Sequence, residues 1–151
     1  MPAADVAAGA MHRARLAAEA AGLEIEFAAG EAAEVSGRVA GLAGLALANL
    51  LSNAIEASPR GARIRLSLLA AGDAVEFKVA DAAGGLPAAV QASLFQPVVS
   101  TKRHGGGMGL AISRRLARHA GGDLLLERTG PDGTTFVLRV PAWRKSGRGA
   151  V

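Results

Sequence analysis

The sequence predicts an α+β protein: a two-layer α/β sandwich with a mixed, mostly antiparallel sheet of about five strands and about three helices on one face. Three observations lead there. Short segments with apolar residues at every second position recur along the 151 residues, the signature of half-buried strands. Stretches with a 3.6-residue apolar rhythm separate them. Gly and Pro clusters punctuate the junctions.

The elements follow in order. Residues 1–22 are Ala-rich and read as a helix broken at Gly22. Residues 23–27, Leu-Glu-Ile-Glu-Phe, alternate as a strand. A loop over 28–37 follows, with a short strand pairing around Val35. Residues 39–58 are helical and are stopped by Pro59 and Gly61. Residues 62–69 and 74–80 form a hairpin about Ala71-Gly72-Asp73, with Val75, Phe77 and Val79 on one face. After the Gly84-Gly85 turn, Pro87 opens a short helix to about Leu94. Residues 96–106 have few apolar anchors and read as a mobile loop. Residues 108–120 are strongly helical up to Gly121-Gly122. Two last strands, 123–128 and 134–140, flank Gly130-Pro131-Asp132-Gly133. No internal repeat is visible.

Composition narrows the function classes. Half the residues are apolar and a fifth charged, enough for a substantial core. The absence of Cys excludes disulfide scaffolds, thiol nucleophiles and cysteine-ligated metal, and only three His, at 12, 104 and 119, argue against a multi-His metal site. Aromatics are 3 % with no Tyr, which argues against a base-stacking platform. The net charge of +4 includes Arg144, Lys145 and Arg148, so the basic excess is largely a solvated tail over 142–151, expected to be disordered, and nucleic acid is not the expected partner. The apolar run over 39–51 is too short to span a bilayer, and no secretory signal opens the chain. The expectation is a soluble, cytoplasmic domain without membrane contact of its own.

Four constellations carry chemistry. On the long helix, Asn49 and Asn53 lie one turn apart on one face, beside a leucine stripe. An amide oxygen is a hard, neutral ligand suited to Mg²⁺, although two Asn on an amphipathic helix can also be simple surface residues. Asp81 follows a strand and precedes Gly84-Gly85-Leu86-Pro87, where a carboxylate can accept from an exocyclic amine and glycines let a flat ligand approach. An ordinary strand-to-helix turn looks the same. Phe95 then precedes a loop with Ser100, Thr101 and Lys102, a cation able to reach a terminal phosphate. Last, Gly105-Gly106-Gly107-Met108-Gly109-Leu110 opens a helix, where backbone N–H groups and the helix dipole favour an anion. Neither the dinucleotide nor the Walker pattern fits it.

Over residues 23–141 these four elements resemble, in order and approximate spacing, the asparagine, first glycine, phenylalanine and second glycine boxes of sensor histidine kinases. Asn-Leu-Leu-Ser-Asn-Ala-Ile-Glu-Ala-Ser at 49–58 and Gly-Met-Gly-Leu-Ala-Ile-Ser at 107–113 are especially close to that family, and the Glu-Ala ending is similar to its nitrogen- and dicarboxylate-sensing branch. The resemblance implies the Bergerat nucleotide fold shared with Hsp90, gyrase and MutL, ahead of which 1–22 would be a helix or linker. It implies a catalytic domain that binds ATP and Mg²⁺ and donates the γ-phosphoryl group to a histidine on a separate dimerisation hairpin. A response-regulator receiver domain would lie downstream, and the parent kinase could carry its own membrane anchor. It also implies roles by position: Asn53 for Mg²⁺, with Asn49 its partner one turn earlier; Asp81 for the adenine amino group, with Gly85 shaping the floor; Phe95 as the anchor of a lid. Lys102 would face the phosphates, Gly105, Gly107 and Gly109 would wrap them, and Leu110 would pack the helix start. Thr134 would help hold adenine through water.

The chain departs from the family pattern at three points. Ala83 stands where a glycine is usual, and Val98 and Val99 where aromatics are. His12 is followed by Arg-Ala-Arg rather than by the acid and Pro of a phospho-acceptor motif, so it reads as a solvated residue, and His104 and His119 as structural or solvated. Two other readings share the fold: a free-standing serine kinase of the anti-sigma type, and a non-catalytic nucleotide-binding module. Position 49 favours the histidine kinase. Serine-phosphorylating relatives carry Glu there as a general base, whereas neutral imidazole needs no such help.

Overall fold

The computed structural model describes residues 1–82, 84–92, 94–95 and 106–143, the side chains of 106–108 excepted. The chain runs α1 (Ala3–Ala20), β1 (Glu24–Ala29), α2 (Gly37–Ala57), β2 (Arg63–Ala71), β3 (Ala74–Ala80), α3 (Ala88–Ala92), α4 (Gly106–His119), β4 (Asp123–Gly130) and β5 (Gly133–Pro141). The five strands form one sheet in the order β1-β2-β3-β5-β4. β1 and β2 pair in parallel, which the intervening α2 makes possible, and every other pairing is antiparallel. This is the mixed, mostly antiparallel sheet that the alternating segments predict.

Alternation decides which face of the sheet meets the helices. Ile64, Leu66 and Leu68 of β2, Val75, Phe77 and Val79 of β3, and Leu138 and Val140 of β5 are all buried in one core. Burying each such side chain contributes about 1.5–3 kcal/mol. The alternate positions are charged and paired: Lys78 with Glu127 at 2.8 Å, Arg139 with Glu76 at 2.8 Å, and Arg63 with Glu26 at 3.1 Å. The helices therefore occupy one face, and water the other.

α1 buries Ala3, Val6, Ala7, Ala10, Ala14 and Ala18 in the same core, so residues 1–22 pack as an integral layer against α2. Small side chains at three- and four-residue spacing let the two helices approach closely. In the loop before α2, Met1 and Val35 exchange backbone hydrogen bonds, and Pro2 bridges Glu34. Ser36 caps α2, its hydroxyl accepting from Val39 N–H at 3.2 Å.

α2 is longer than its apolar run. It has 21 residues, and its most apolar 18 have a mean hydropathy of 1.4, so by length and composition alone the whole helix is long and apolar enough to cross a membrane, although the run over 39–51 by itself is not. In the fold Leu47, Leu50, Leu51, Ala54 and Ile55 are buried. That apolarity is spent on the core.

Candidate functional site

The candidate site residues lie on α2 and α4 and at the ends of β3 and β5, elements that pack against one another. Asn49 and Asn53 are half-buried beside the leucine stripe of α2. α4 starts next to them: a Cβ at Gly109 would lie 3.3 Å from Asn53 Oδ1 and 3.5 Å from Nδ2. Glycine at this position lets the first turn of α4 approach the amide without displacing it. Leu110 is buried at the helix start, and Ser113 Oγ donates to Ala46 O at 3.4 Å, which holds α4 against α2. Asn53 Nδ2 is buried with no hydrogen-bond partner among the described residues. A buried donor left without a partner costs about 1–3 kcal/mol.

These groups fit a magnesium ion. Among the described residues no three His, Cys, Asp or Glu side chains cluster into a metal cage. Asn53 offers one hard, neutral oxygen, the contribution suited to an ion that takes its other ligands from water and phosphate.

The second half of the site is a polar knot at the end of the sheet. Asp81 N–H donates to Thr134 O at 2.9 Å, and Thr134 N–H donates to Asp81 Oδ1 at 3.1 Å. The carboxylate is thus oriented by the neighbouring strand. Gly133 has φ +137, and a Cβ there would overlap the Asp81 carbonyl oxygen. Gly85 has φ +97, and a Cβ there would lie 2.7 Å from Gly130 O, so the turn over 84–87 rests directly on the tip of β4. Thr129, which the sequence reading passes over, joins these parts. Its hydroxyl accepts from Leu86 N–H at 2.8 Å and lies 2.8 Å from the hydroxyl of the buried Thr134. Gln91 Nε2 donates to Leu86 O at 2.9 Å and ties α3 to the same turn.

Phe95 packs edge-on against Phe136, with ring centroids 6.2 Å apart and planes at 78°. The Arg114 guanidinium lies 4.7 Å above the Phe95 ring. Arg114 Nε also donates to Asp123 Oδ1 at 3.0 Å, and Arg118 Nε to the same oxygen at 3.3 Å. Burial pushes the Asp123 carboxyl up. The Arg114 hydrogen bond, the Leu124 N–H and the charges of Arg114 and Arg118 outweigh that, so it sits below the usual carboxylate value. Phe95, Ile112, Arg114, Arg115, Arg118 and His119 line a pocket of about 460 Å³ beside this cluster.

The structure therefore gathers the sequence-picked residues into two groups, Asn53 with Gly109 and Leu110, and Asp81 with Thr134 and the turn of Gly85. Gly107 lies within the first turn of α4, which begins two residues earlier than its apolar rhythm suggests. Lys102, Gly105, Ala83, Val98, Val99 and His104 lie outside the described residues, as does the loop expected over 96–106 apart from Gly106, which is the first residue of α4. His12 is exposed on α1; His119 is exposed at the end of α4, where its backbone carbonyl accepts from Arg38.

Residues 39–144 match the family of histidine kinase-, DNA gyrase B- and HSP90-like ATPases. The sensor protein DivL of Caulobacter vibrioides is 36 % identical over 101 residues, which are 67 % of this chain and 13 % of that protein. The C4-dicarboxylate transport sensor protein DctS of Rhodobacter capsulatus is 39 % identical over 99 residues, 63 % of this chain and 15 % of that protein. The chain thus spans under a sixth of the length of either relative. Among solved structures, a mycobacterial sensor histidine kinase, MprB, superposes with a TM-score of 0.77 at 22 % identity, covering 94 % of this chain and 97 % of that one. That likeness is one of fold.

Proposed function

We infer the function from one premise: this chain belongs to the family of histidine kinase-, DNA gyrase B- and HSP90-like ATPases, and it has the fold of a sensor histidine kinase catalytic domain. It is an ATP-binding catalytic domain of the two-component sensor kinase type. In our proposal it binds Mg²⁺-ATP and passes the γ-phosphoryl group to a histidine on a separate helical hairpin of the parent kinase, which then serves a response-regulator receiver. The site of action is the cytoplasm. The observation that carries the proposal is the Asn53 side chain set against the start of α4, where Gly109 leaves room beside its Oδ1 and its buried Nδ2 has no hydrogen-bond partner among the described residues.

For the described residues the surroundings support a role, and Lys102 and Gly105 take theirs from the family resemblance alone. Asp81, its carboxylate oriented by Thr134 N–H, accepts from the exocyclic amine of adenine and repels the carbonyl that guanine carries there. Thr134 supplies a hydroxyl at the same edge, and Gly85 keeps the turn flat enough for a base to lie on it. Asn53 holds the metal ion, with Asn49 one turn behind it. Mg²⁺ bound there would neutralise phosphate charge during transfer. The N-terminal turn of α4, with Gly107, Gly109 and Leu110, turns backbone N–H groups towards the phosphates. Gly105 and Lys102 act alongside it, and Phe95 anchors the segment that bears them. Asn49 cannot take up a proton, so the acceptor must already be nucleophilic at neutral pH. Imidazole is. DctS is named a C4-dicarboxylate transport sensor, and a dicarboxylate- or nitrogen-sensing parent is the branch this chain fits.

Phosphotransfer tests the proposal. The chain mixed with γ-labelled ATP alone should stay unlabelled, because His12 has no acceptor motif around it. Adding the helical hairpin of the parent kinase should give acid-labile, base-stable label on the hairpin. Acid-stable label on a serine protein would move the assignment to the anti-sigma type, and label on His12 would refute the reading of α1.

A further inference from the structure

We propose that Thr129 is a positioning residue for the nucleotide base, setting through its hydroxyl both the Thr134 hydroxyl and the turn that follows Asp81. The inference rests on the nucleotide reading above and adds to it a residue that the sequence motifs do not contain.

Thr129 and Thr134 are directly opposed in the β4–β5 ladder, either side of the hairpin turn. A cross-strand Thr pair of this kind usually sits on an exposed face and adds little. This one is different in two respects. Thr134 is buried, and the Thr129 hydroxyl is shared with a third element through Leu86 N–H at 2.8 Å. That N–H belongs to the turn whose Gly85 lies against Gly130. One oxygen therefore couples the strand that orients Asp81, the strand tip, and the turn expected to form the floor under the base.

Proton accounting permits either direction, and in this proposal Thr129 is the donor. A threonine oxygen has two lone pairs and one proton. Thr129 uses one lone pair to accept from Leu86 N–H. If it donates its proton to Thr134 Oγ1 across 2.8 Å, the Thr134 proton is released towards the ligand. Asp81 then offers an acceptor and Thr134 a donor at neighbouring points. Adenine presents the complement, an amino donor beside a ring-nitrogen acceptor. Guanine presents the reverse pair and would leave both protein groups opposed by like partners. Without the Thr129 hydroxyl, the Thr134 rotor loses its fixed partner and Leu86 N–H loses its acceptor.

The test measures binding of ATP, adenosine and GTP by calorimetry, with and without Mg²⁺, for the intact chain and for Thr129→Val, Thr129→Ser and Thr134→Val. Thr129→Val keeps the branched shape and should weaken both ATP and adenosine about tenfold, narrowing the ATP-to-GTP preference. The gain in ATP affinity on adding Mg²⁺ should be unchanged, because the metal end is untouched. Thr129→Ser keeps the hydroxyl and should bind within about twofold of the unmutated chain. In a Thr134→Val background, Thr129→Val should cost much less than it does alone. Unaltered adenosine affinity in folded Thr129→Val would overturn the proposal. So would an equal loss in Thr129→Ser, which would place the effect in the methyl group. Should Thr129→Val fail to fold, Thr129→Ala, which removes the same hydroxyl, takes its place with the same expected and overturning results. If the unmutated chain bound neither ATP nor adenosine, the nucleotide reading itself would fall, a result distinct from either of these.

Discussion

Replacing Gly109 by Ala should separate the stability of this fold from its metal-dependent function. The added Cβ would lie 3.3 Å from Asn53 Oδ1, 3.5 Å from Nδ2 and 3.8 Å from Cγ. Ordinary contacts begin near 3.5 Å, so the amide must retreat by a few tenths of an ångström. Gly109 lies inside α4, where Gly→Ala favours the helix by about 0.8–1.0 kcal/mol. Mild crowding of one side chain costs a similar amount. The two nearly cancel, and the thermal midpoint should move by less than about 4 °C. Magnesium is less forgiving. Its bonds to oxygen tolerate deviations of only about 0.2 Å, so a displaced Asn53 oxygen should lose most of its contribution. The Mg²⁺-dependent part of ATP affinity should fall about tenfold, while metal-free ATP binding changes little. Calorimetric titrations with and without Mg²⁺, beside a thermal melt, read all three quantities. Undiminished Mg²⁺ dependence in a well-folded variant would refute the placement of Asn53 at the metal, and a fall of 10 °C or more in the melt would show that the contact is structural.

Asp81→Asn should weaken ATP binding about 10- to 100-fold, since a charge-assisted hydrogen bond is worth about 1.5–3 kcal/mol; equal affinities by calorimetry would exclude this carboxylate from the base edge. Gly133→Ala should destabilise the fold by about 3 kcal/mol or more, because φ is +137 and the new Cβ would meet the Asp81 carbonyl; urea unfolding measures it, and a change under 1 kcal/mol would contradict the geometry. Asp123 is held below its unfolded value, so its ion pairs with Arg114 and Arg118 stabilise the chain above the unfolded carboxyl's titration and are lost as pH falls through the folded one. The stability difference between the unmutated chain and Asp123→Asn should therefore be constant near neutral pH and shrink in acid, and a pH-independent difference would show that the charge plays no part.

Much of this architecture is legible in the residues themselves. The alternation of Val75, Phe77 and Val79 against Glu76 and Lys78 maps directly onto a buried and a paired face of β3. The spacing of Asn49 and Asn53 beside Leu47, Leu50 and Leu51 places them on one face of α2, and their half-burial there is something the spacing alone leaves open. Other features are hidden for definable reasons. The burial of α1 rests on alanines, whose small side chains give only a weak apolar stripe until a partner helix comes close. β4 runs on to Gly130 rather than stopping at Arg128, because turn residues such as Thr129-Gly130 and Gly133-Thr134 can pair as strand when they face each other. That symmetric Thr-Gly and Gly-Thr pair around Pro131-Asp132 is the signal that would have pointed to Thr129. The contact of Gly109 with Asn53 spans 56 positions, and no local pattern encodes it.

The most direct test of the central claim is one titration series: the intact chain with ATP and with GTP, each in the presence and absence of Mg²⁺. The account predicts saturable ATP binding strengthened by Mg²⁺, and a preference over GTP of at least about tenfold, the equivalent of one well-formed hydrogen bond. Equal affinity for the two nucleotides, or no ATP binding at all, would contradict it.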